Sequence, residues 1–401
     1  MTQQNTLGKI SAFFGMAVQI LVVVFLARLT IDVGTRLPYP FIPQLADGLG
    51  LTIVGFSWLL FIRSMAGVAG PLFGVAADRI GRRRVMAAGL IFQAVGVLWL
   101  ALSSGWWAVP PMILYGISLS AFIPAEQAYI SDLVAYNKRG RALAAIEFSW
   151  ATSGIVGLPL VGWMIDAFGW RSPLVVLGLF SLFFAALVWR MLPAVEQHTH
   201  TELSAAELWR VLVRPNVLAT LMVGLLLFLA ASTFSTLWSI WLTADFGLTA
   251  ATLGLIATGI GIAELAGSGG SSLFIDRLGK RRGSLVGLVG TAGIFLGLAF
   301  TQVSLPLVIA GLVTFGLFVE FTIVSLVTLF SEQAPEARAT VFSLVAFGAS
   351  IGSAVASPVT ALLWENFGLV AVCVAGAASL LVAAALVWHQ LTEREGAAGA
   401  V

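Results

Sequence analysis

Charge is what this sequence has least of. Asp, Glu, Lys and Arg together supply 10% of its 401 residues, where soluble globular chains carry about a quarter. That scarcity excludes a soluble fold, because hydrophobic residues make up 59% of the chain and so few charges cannot cover them. Cysteine is nearly absent: Cys373 stands alone, so neither an intrachain disulfide nor a paired-thiol redox motif is available. The three histidines, His198, His200 and His389, have no metal-ligand spacing, and no GxxxxGK[ST] loop exists for nucleotide hydrolysis. A net charge of +2 gives no footing to a nucleic-acid partner. No cofactor, metal or catalytic residue is therefore expected, and a membrane enzyme or a non-transporting receptor stands only as the competing class.

What the chain has is apolar length, with a mean hydropathy of +1.00. Runs of about twenty apolar residues, each able to cross a hydrocarbon core about 30 Å thick, recur from end to end. Read against charged and Pro/Gly breaks, they predict helices near 16–38, 51–74, 85–103, 109–133, 142–166, 172–192, 217–243, 250–274, 284–301, 305–330, 340–363 and 367–389. The first run follows Lys9 and continues through Phe25 and Leu26 without a small-residue cleavage site, so it is expected to be a retained helix. One long polar interruption, with Glu196, His198, His200, Glu202, Glu207, Arg210 and Arg214, divides the chain into an expected six-helix bundle at 1–192, a cytoplasmic linker at 193–216 and a second bundle at 217–401.

Cytoplasmic loops are enriched in Lys and Arg, and with both termini inside, seventeen loop and terminal cations fall on the inner face while only Arg36 and Arg171 fall outside. The halves also repeat. Gly74-Val-Ala-Ala-Asp78-Arg79-Ile-Gly81-Arg82-Arg83-Arg84 follows helix 2, and Ser272-Leu-Phe-Ile-Asp276-Arg277-Leu-Gly279-Lys280-Arg281-Arg282 follows helix 8, an offset of 276 − 78 = 198 residues. Duplicated bundles of this kind place a solute site near the midplane and work by rocking of the halves.

The first stretch resembles the signature loop of the major facilitator superfamily, GxxxDRxGRR, and the second departs from it by Ser272 for Gly and Lys280 for Arg. Asp132 with Asn137-Lys138-Arg139-Gly140-Arg141 after helix 4, and Phe168-Gly169-Trp170-Arg171 before helix 6, add to a likeness that covers essentially the whole chain. The resemblance implies an all-α integral membrane protein of twelve spans in two pseudo-symmetric six-helix bundles, similar to bacterial proton-coupled efflux members, in the plasma (inner) membrane. It also implies a monomer whose partners are a small solute, protons and the lipid bilayer. In such proteins the loop Asp and the first Arg after the Gly form a latch with an acid that ends helix 4, roles that fall here on Asp78, Arg82 and Asp132. Gly74, Arg79 and Gly81, with Asp276, Arg277 and Gly279 in the second copy, complete the conformational set. Independently of the family, Gly81 permits a sharp reversal and Arg82 to Arg84 anchor the loop on the cytoplasmic face; topology anchoring alone is the plainer reading of these charges.

Ionisable groups far from either surface are expensive in a bilayer, about 2.5–3.5 kcal/mol each on insertion scales, so they are expected to face one another or a wet cavity. They are Arg28, Asp32, Arg63, Glu126, Glu147, Glu264 and Glu320. Arg28, Asp32 and Arg36 share one face of helix 1 at i, i+4 and i+8; Arg28 is either an internal pair with Asp32 or a contact for an anionic solute. A carboxyl removed from water holds a proton more tightly, which makes Glu264 and Glu320 candidate proton carriers, with Glu126 and Glu147 nearer the cytoplasmic helix ends. The expectation is that the amino-terminal half offers cations and the carboxy-terminal half carboxylates. Helices 3, 6, 9 and 12 carry no charge in their apolar cores and are expected to face lipid. The glycines around Gly154, Gly157 and Gly162 read as close helix packing, with an incomplete likeness to a helix 5 motif of proton antiporters. Against export of drugs, helix 4 lacks the Arg usual in exporters of the family. The functional expectation is a proton-coupled exporter of a drug-like or amphipathic compound, with proton symport of a small organic anion through Arg28 and Arg63 as the alternative.

Overall fold

The computed structural model describes residue 8 and residues 11–194, 213–301, 304–334 and 337–393. The expected linker at 193–216 lies mostly outside them, as do Glu196, His198, His200, Glu202, Glu207 and Arg210.

The elements are helices throughout the described residues: α1 (Val18–Arg36), α2 (Ile42–Leu49), α3 (Ile53–Ala66), α4 (Gly70–Ile80), α5 (Arg82–Leu102), α6 (Val109–Leu133), α7 (Tyr136–Thr152), α8 (Leu158–Phe168), α9 (Arg171–Met191), α10 (Pro215–Phe246), α11 (Ala250–Leu278), α12 (Lys280–Leu298), α13 (Leu305–Phe330) and α14 (Arg338–Gln390). Hydrophobic side chains drive this, but backbone demand dictates it: inside a bilayer every N–H and C=O must find a partner within the chain. The twelve predicted spans fall on these helices to within a few residues. Nine described helices, or ten with the bent pair at 42–69, pass a test of length and apolarity for crossing a membrane. The count falls short of twelve for physical reasons. Span 2 is broken by the 3-10 turn Gly67–Ala69 between α3 and α4, α12 opens on three cations, and α14 holds spans 11 and 12 with a non-helical Gly368 between them.

The chain divides into two compact units. Unit 1 comprises Met1–His200 with Thr249–Thr258, and unit 2 comprises Thr201–Leu248 with Gly259–Val401. Within unit 1 the core joins α1, α5, α6 and α9 through Val24, Ile31, Leu90, Phe122, Ile130 and Val188. Gln93 of α5 ties three of these helices together, donating to Thr30 O at 2.8 Å and Ser181 Oγ at 3.1 Å. Span 5 runs as α7, a π-helical turn at Ser153–Gly157 and α8. Its glycines permit close approach: a Cβ at Gly157 would sit 2.5 Å from Val33, and one at Gly162 2.3 Å from the Ala250 carbonyl. Asp166 at the end of α8 accepts from Ala250 N at 3.2 Å and Ala251 N at 2.8 Å, capping donors that the first turn of a helix leaves open.

Within unit 2, α10 lies along α14. Gly348 and Gly352 meet the carbonyls of Leu221 and Leu225, and Ser232 bonds Ser353 at 2.9 Å. Phe234 stacks on Phe315, and Phe295 meets Phe315 edge to face. Trp238 and Trp241 are core residues, Trp241 donating to Asp245 at 2.9 Å. Spans 3, 6, 9 and 12 each present an exposed apolar stripe: Ile91, Val95 and Trp99; Leu179, Phe180 and Phe183; Val286 and Val289; Val374, Leu381 and Val382. In a bilayer such stripes meet lipid.

Candidate functional site

Arg28, near the middle of α1, organises the polar centre of unit 1. Its Nε donates to Asp32 at 3.0 Å, Nη1 to Glu126 of α6 at 2.8 Å and Nη2 to Glu147 of α7 at 3.1 Å. The Asp32 contact is the helical i, i+4 neighbour expected from spacing. The other two arise because α6 and α7 pack on the same face of α1. Ser149, two residues beyond Glu147 on α7, donates to the second oxygen of Asp32, and Gln127 donates to Glu147 at 3.2 Å. Asp32 and Glu126 are buried, whereas the Glu147 side chain is 46% exposed. One guanidinium thus faces three carboxylates, a formal charge of −2 with all ionised, and protons or a cationic group on a solute can neutralise the remainder.

This arrangement corrects the expectation that the first half offers cations and the second half carboxylates: three acids converge in unit 1 itself. It also takes Arg28 out of the role of a free contact for an anion, since three carboxylates already surround its guanidinium.

Arg63 of α3 lies elsewhere. Its Nη2 donates to Thr35 O at 3.0 Å in the last turn of α1, and its guanidinium stacks on the Tyr115 ring at 4.6 Å. Among the described residues no carboxylate pairs with Arg63; a helix carbonyl and an aromatic face hold it. The contact is possible because Gly116 lets α6 touch α3, a Cβ there falling 2.0 Å from the Arg63 carbonyl oxygen. Tyr115 in turn donates its hydroxyl to Gly34 O. Arg36 lies over Trp150 at 4.8 Å.

In unit 2, Glu264 and Glu320 are half-buried on α11 and α13. Gly316, one turn before Glu320, lies against Glu264, with a built Cβ 3.7 Å from its Cγ.

At the cytoplasmic signature, Gly81 has φ 104° and Gly279 φ 81°, backbone that a residue with a Cβ rarely adopts. Each ends one helix and starts the next within a single residue. Arg82 is buried, with Nε 2.9 Å from Asp132 and Nη2 3.7 Å from the exposed Asp78. Gly74, Asp78, Arg82, Asp132 and Arg139 line a cavity of ≈ 470 Å³ there. Arg79 is exposed.

The second copy repeats the arrangement with different residues. Lys280 pairs with Glu332, and Glu393 accepts from the backbone N–H of Lys280 at 2.8 Å and Arg281 at 3.1 Å. Arg277 is exposed, and nothing is described for the Asp276 side chain. Sequence reading missed Glu332, although it sits 200 residues after Asp132, close to the 198 of the loops. It also missed a repeated aromatic brace. Arg83 donates to Leu192 O at 2.8 Å over Trp189, and Arg281 donates to Trp388 O over that residue's own ring.

The family profile described as Major Facilitator Superfamily matches residues 24–237 and 220–400. The chain is 27% identical over 289 residues to a multi-drug resistance efflux pump PmrA homolog of Lactococcus lactis, covering 67% of this chain and 69% of that protein. It is 24% identical over 389 residues to the uncharacterized MFS-type transporter YceJ of Bacillus subtilis, covering 93% and 96%. Across four bacterial relatives the chain spans 61%, 69%, 40% and 96% of their lengths. Among solved structures, a D-xylose-proton symporter superposes with a TM-score of 0.76 at 17% identity, over 94% of this chain and 98% of that one.

Proposed function

Since the chain belongs to the Major Facilitator Superfamily, we propose that it is a proton-coupled secondary active transporter that exports a small drug-like or amphipathic solute by alternating access. Membership of this family, rather than any missing site, sets it apart from enzymes. The observation that carries proton coupling is the convergence of Asp32, Glu126 and Glu147 on Arg28. Ionised, the three acids repel one another inside a membrane-spanning bundle. A proton added to one of them loosens its tie to Arg28, and the helices α1, α6 and α7 are then held less tightly together. Glu147 is the exposed member and the natural point of proton exchange with water, while Glu126 is enclosed. Glu264 and Glu320 form a second carboxylate locus in unit 2.

Export finds support in the names of relatives, which include the PmrA homolog and the multidrug resistance protein MdtG of Serratia proteamaculans, 24% identical over 278 residues. The Asp78–Arg82–Asp132 grouping is assigned the latch that biases the cycle. The inner membrane, cytoplasmic termini and a monomeric state complete the proposal, the orientation resting on the bias of Lys and Arg.

Solute-driven proton flux in proteoliposomes loaded with a pH-sensitive dye tests it. Glu126→Gln keeps the shape of the side chain and removes its titration, and is expected to abolish most of the coupled flux. Undiminished flux in that variant removes the Arg28 cluster from the coupling role. Parallel measurement of Glu320→Gln separates the two carboxylate loci.

A further inference from the structure

Arg63 differs from every other charged group near the middle of unit 1. It is 7% exposed, yet among the described residues no carboxylate pairs with it. Arg28, a similarly buried arginine, has three. Burying a charge without an opposite charge is costly, so something must favour a cation there. The carboxy-terminal end of α1 does part of this. The carbonyl end of a helix carries about half a negative charge, and Thr35 O takes one N–H of the guanidinium. The Tyr115 face does another part. Neither supplies a full negative charge, and one accepted bond leaves most of the five guanidinium N–H donors for other partners.

The Arg28 acids do not fill this gap. Asp32, three residues before Thr35 on α1, has one oxygen on Arg28 and the other on Ser149, and Glu126 and Glu147 are likewise held on Arg28. Tyr115 presents its ring face to the guanidinium, and its hydroxyl donates to Gly34 O. The fork is held in place on one face by the ring and at one corner by the helix end, and its free edge has the geometry that recognises a carboxylate with two parallel hydrogen bonds.

From this we infer that Arg63 is the seat of an anionic group on the solute, so that the transported compound is an amphipathic organic acid or carries an acidic substituent. The inference deepens the transport reading and rests on it for every step after binding. It gives the seat to Arg63 alone and withdraws Arg28, whose charge three carboxylates already compensate. The seat fixes the charge of the solute and leaves the direction of transport to the rest of the cycle.

The test compares acids with amides of the same shape on the full chain in lipid-free neutral-detergent micelles, so that no lipid phosphate supplies the anion. Benzoate against benzamide, and indole-3-acetate against indole-3-acetamide, are titrated at fixed pH, with the intrinsic tryptophan signal as readout. Each acid is expected to bind about tenfold or more tightly than its amide. Arg63→Gln is expected to abolish that preference by weakening the acids far more than the amides, a split that a purely structural role for Arg63 does not produce. If Arg63→Gln fails to fold, Arg63→Lys, which keeps the charge and loses the fork, is expected to reduce the preference. Acids that bind no better than amides, acids that do not bind at all, or a preference unchanged in the variants overturn the assignment. Binding is read at equilibrium without a gradient, so its failure is distinguishable from absent proton flux in liposomes, which would sink the transport reading instead.

Discussion

Arg28 shows how much a single side chain can organise when it is buried among acids. Removing one partner from a buried ionic group leaves the others uncompensated, at a cost of about 3–5 kcal/mol. Arg28→Ala is therefore expected to lose about that much stability in detergent unfolding at neutral pH. Three acids remain facing one another in this variant, and each proton taken up removes a repelling charge, so its deficit should shrink as pH falls. A deficit that is independent of pH would mean that the acids do not interact through Arg28. Spacing alone made the Arg28–Asp32 contact readable, because i and i+4 face the same way on any helix. Glu126 and Glu147 lie 98 and 119 residues further along, and no local rule joins them to Arg28. Ser149 and Gln127, which orient the acids, look in sequence like ordinary small polar residues.

Helix contacts in this protein are set by where the chain carries no side chain. Gly116 brings α6 onto α3 with a Cβ position 2.0 Å from the Arg63 carbonyl oxygen, and the neighbouring Tyr115 ring covers the guanidinium as a result. Gly116→Ala is expected to force the helices apart and to cost about 1–3 kcal/mol, the range for overpacking, measured as a lower Tm. Gly269, inside α11, has nothing within 4 Å of a built Cβ. There alanine relieves only helix entropy, and Gly269→Ala is expected to gain about 0.5–1 kcal/mol. Equal effects of the two substitutions would contradict this account of the bundle. The glycines of span 5 were legible as a packing stripe, but the π-helical turn at Ser153–Gly157 was not. Nor could sequence separate α3 from α4, since Gly67–Ala69 reads as continuous apolar helix.

Across the molecule, topology rests on the seventeen inner cations against Arg36 and Arg171. A membrane-impermeant maleimide checks it in a Cys373→Ser background, made simple by the lone native cysteine, which is buried. Ser104→Cys, in the exposed loop between α5 and α6, is expected to label from outside intact cells, and Asn137→Cys, exposed at the start of α7, only after permeabilisation. The reverse pattern would invert the assigned orientation. The duplication, too, is visible at the two signature loops. Gly81 and Gly279 take the same kind of backbone, and Arg82 with Asp132 has its counterpart in Lys280 with Glu332. The second copy has kept the charge signs while changing the residues, and that is why motif matching found the loop and missed Glu332.

Composition, periodicity and repeats were enough to establish a bundle of membrane-spanning helices and its duplication, because apolar length, loop cations and repeats are written locally in the chain. Which charges meet was decided only by packing. Arg28 and Arg63 are alike as residues, each an arginine in an apolar helix. One became the hub of three acids and the other stands against a helix end and a ring, because helices distant in sequence brought carboxylates to the first and only a carbonyl and an aromatic face to the second.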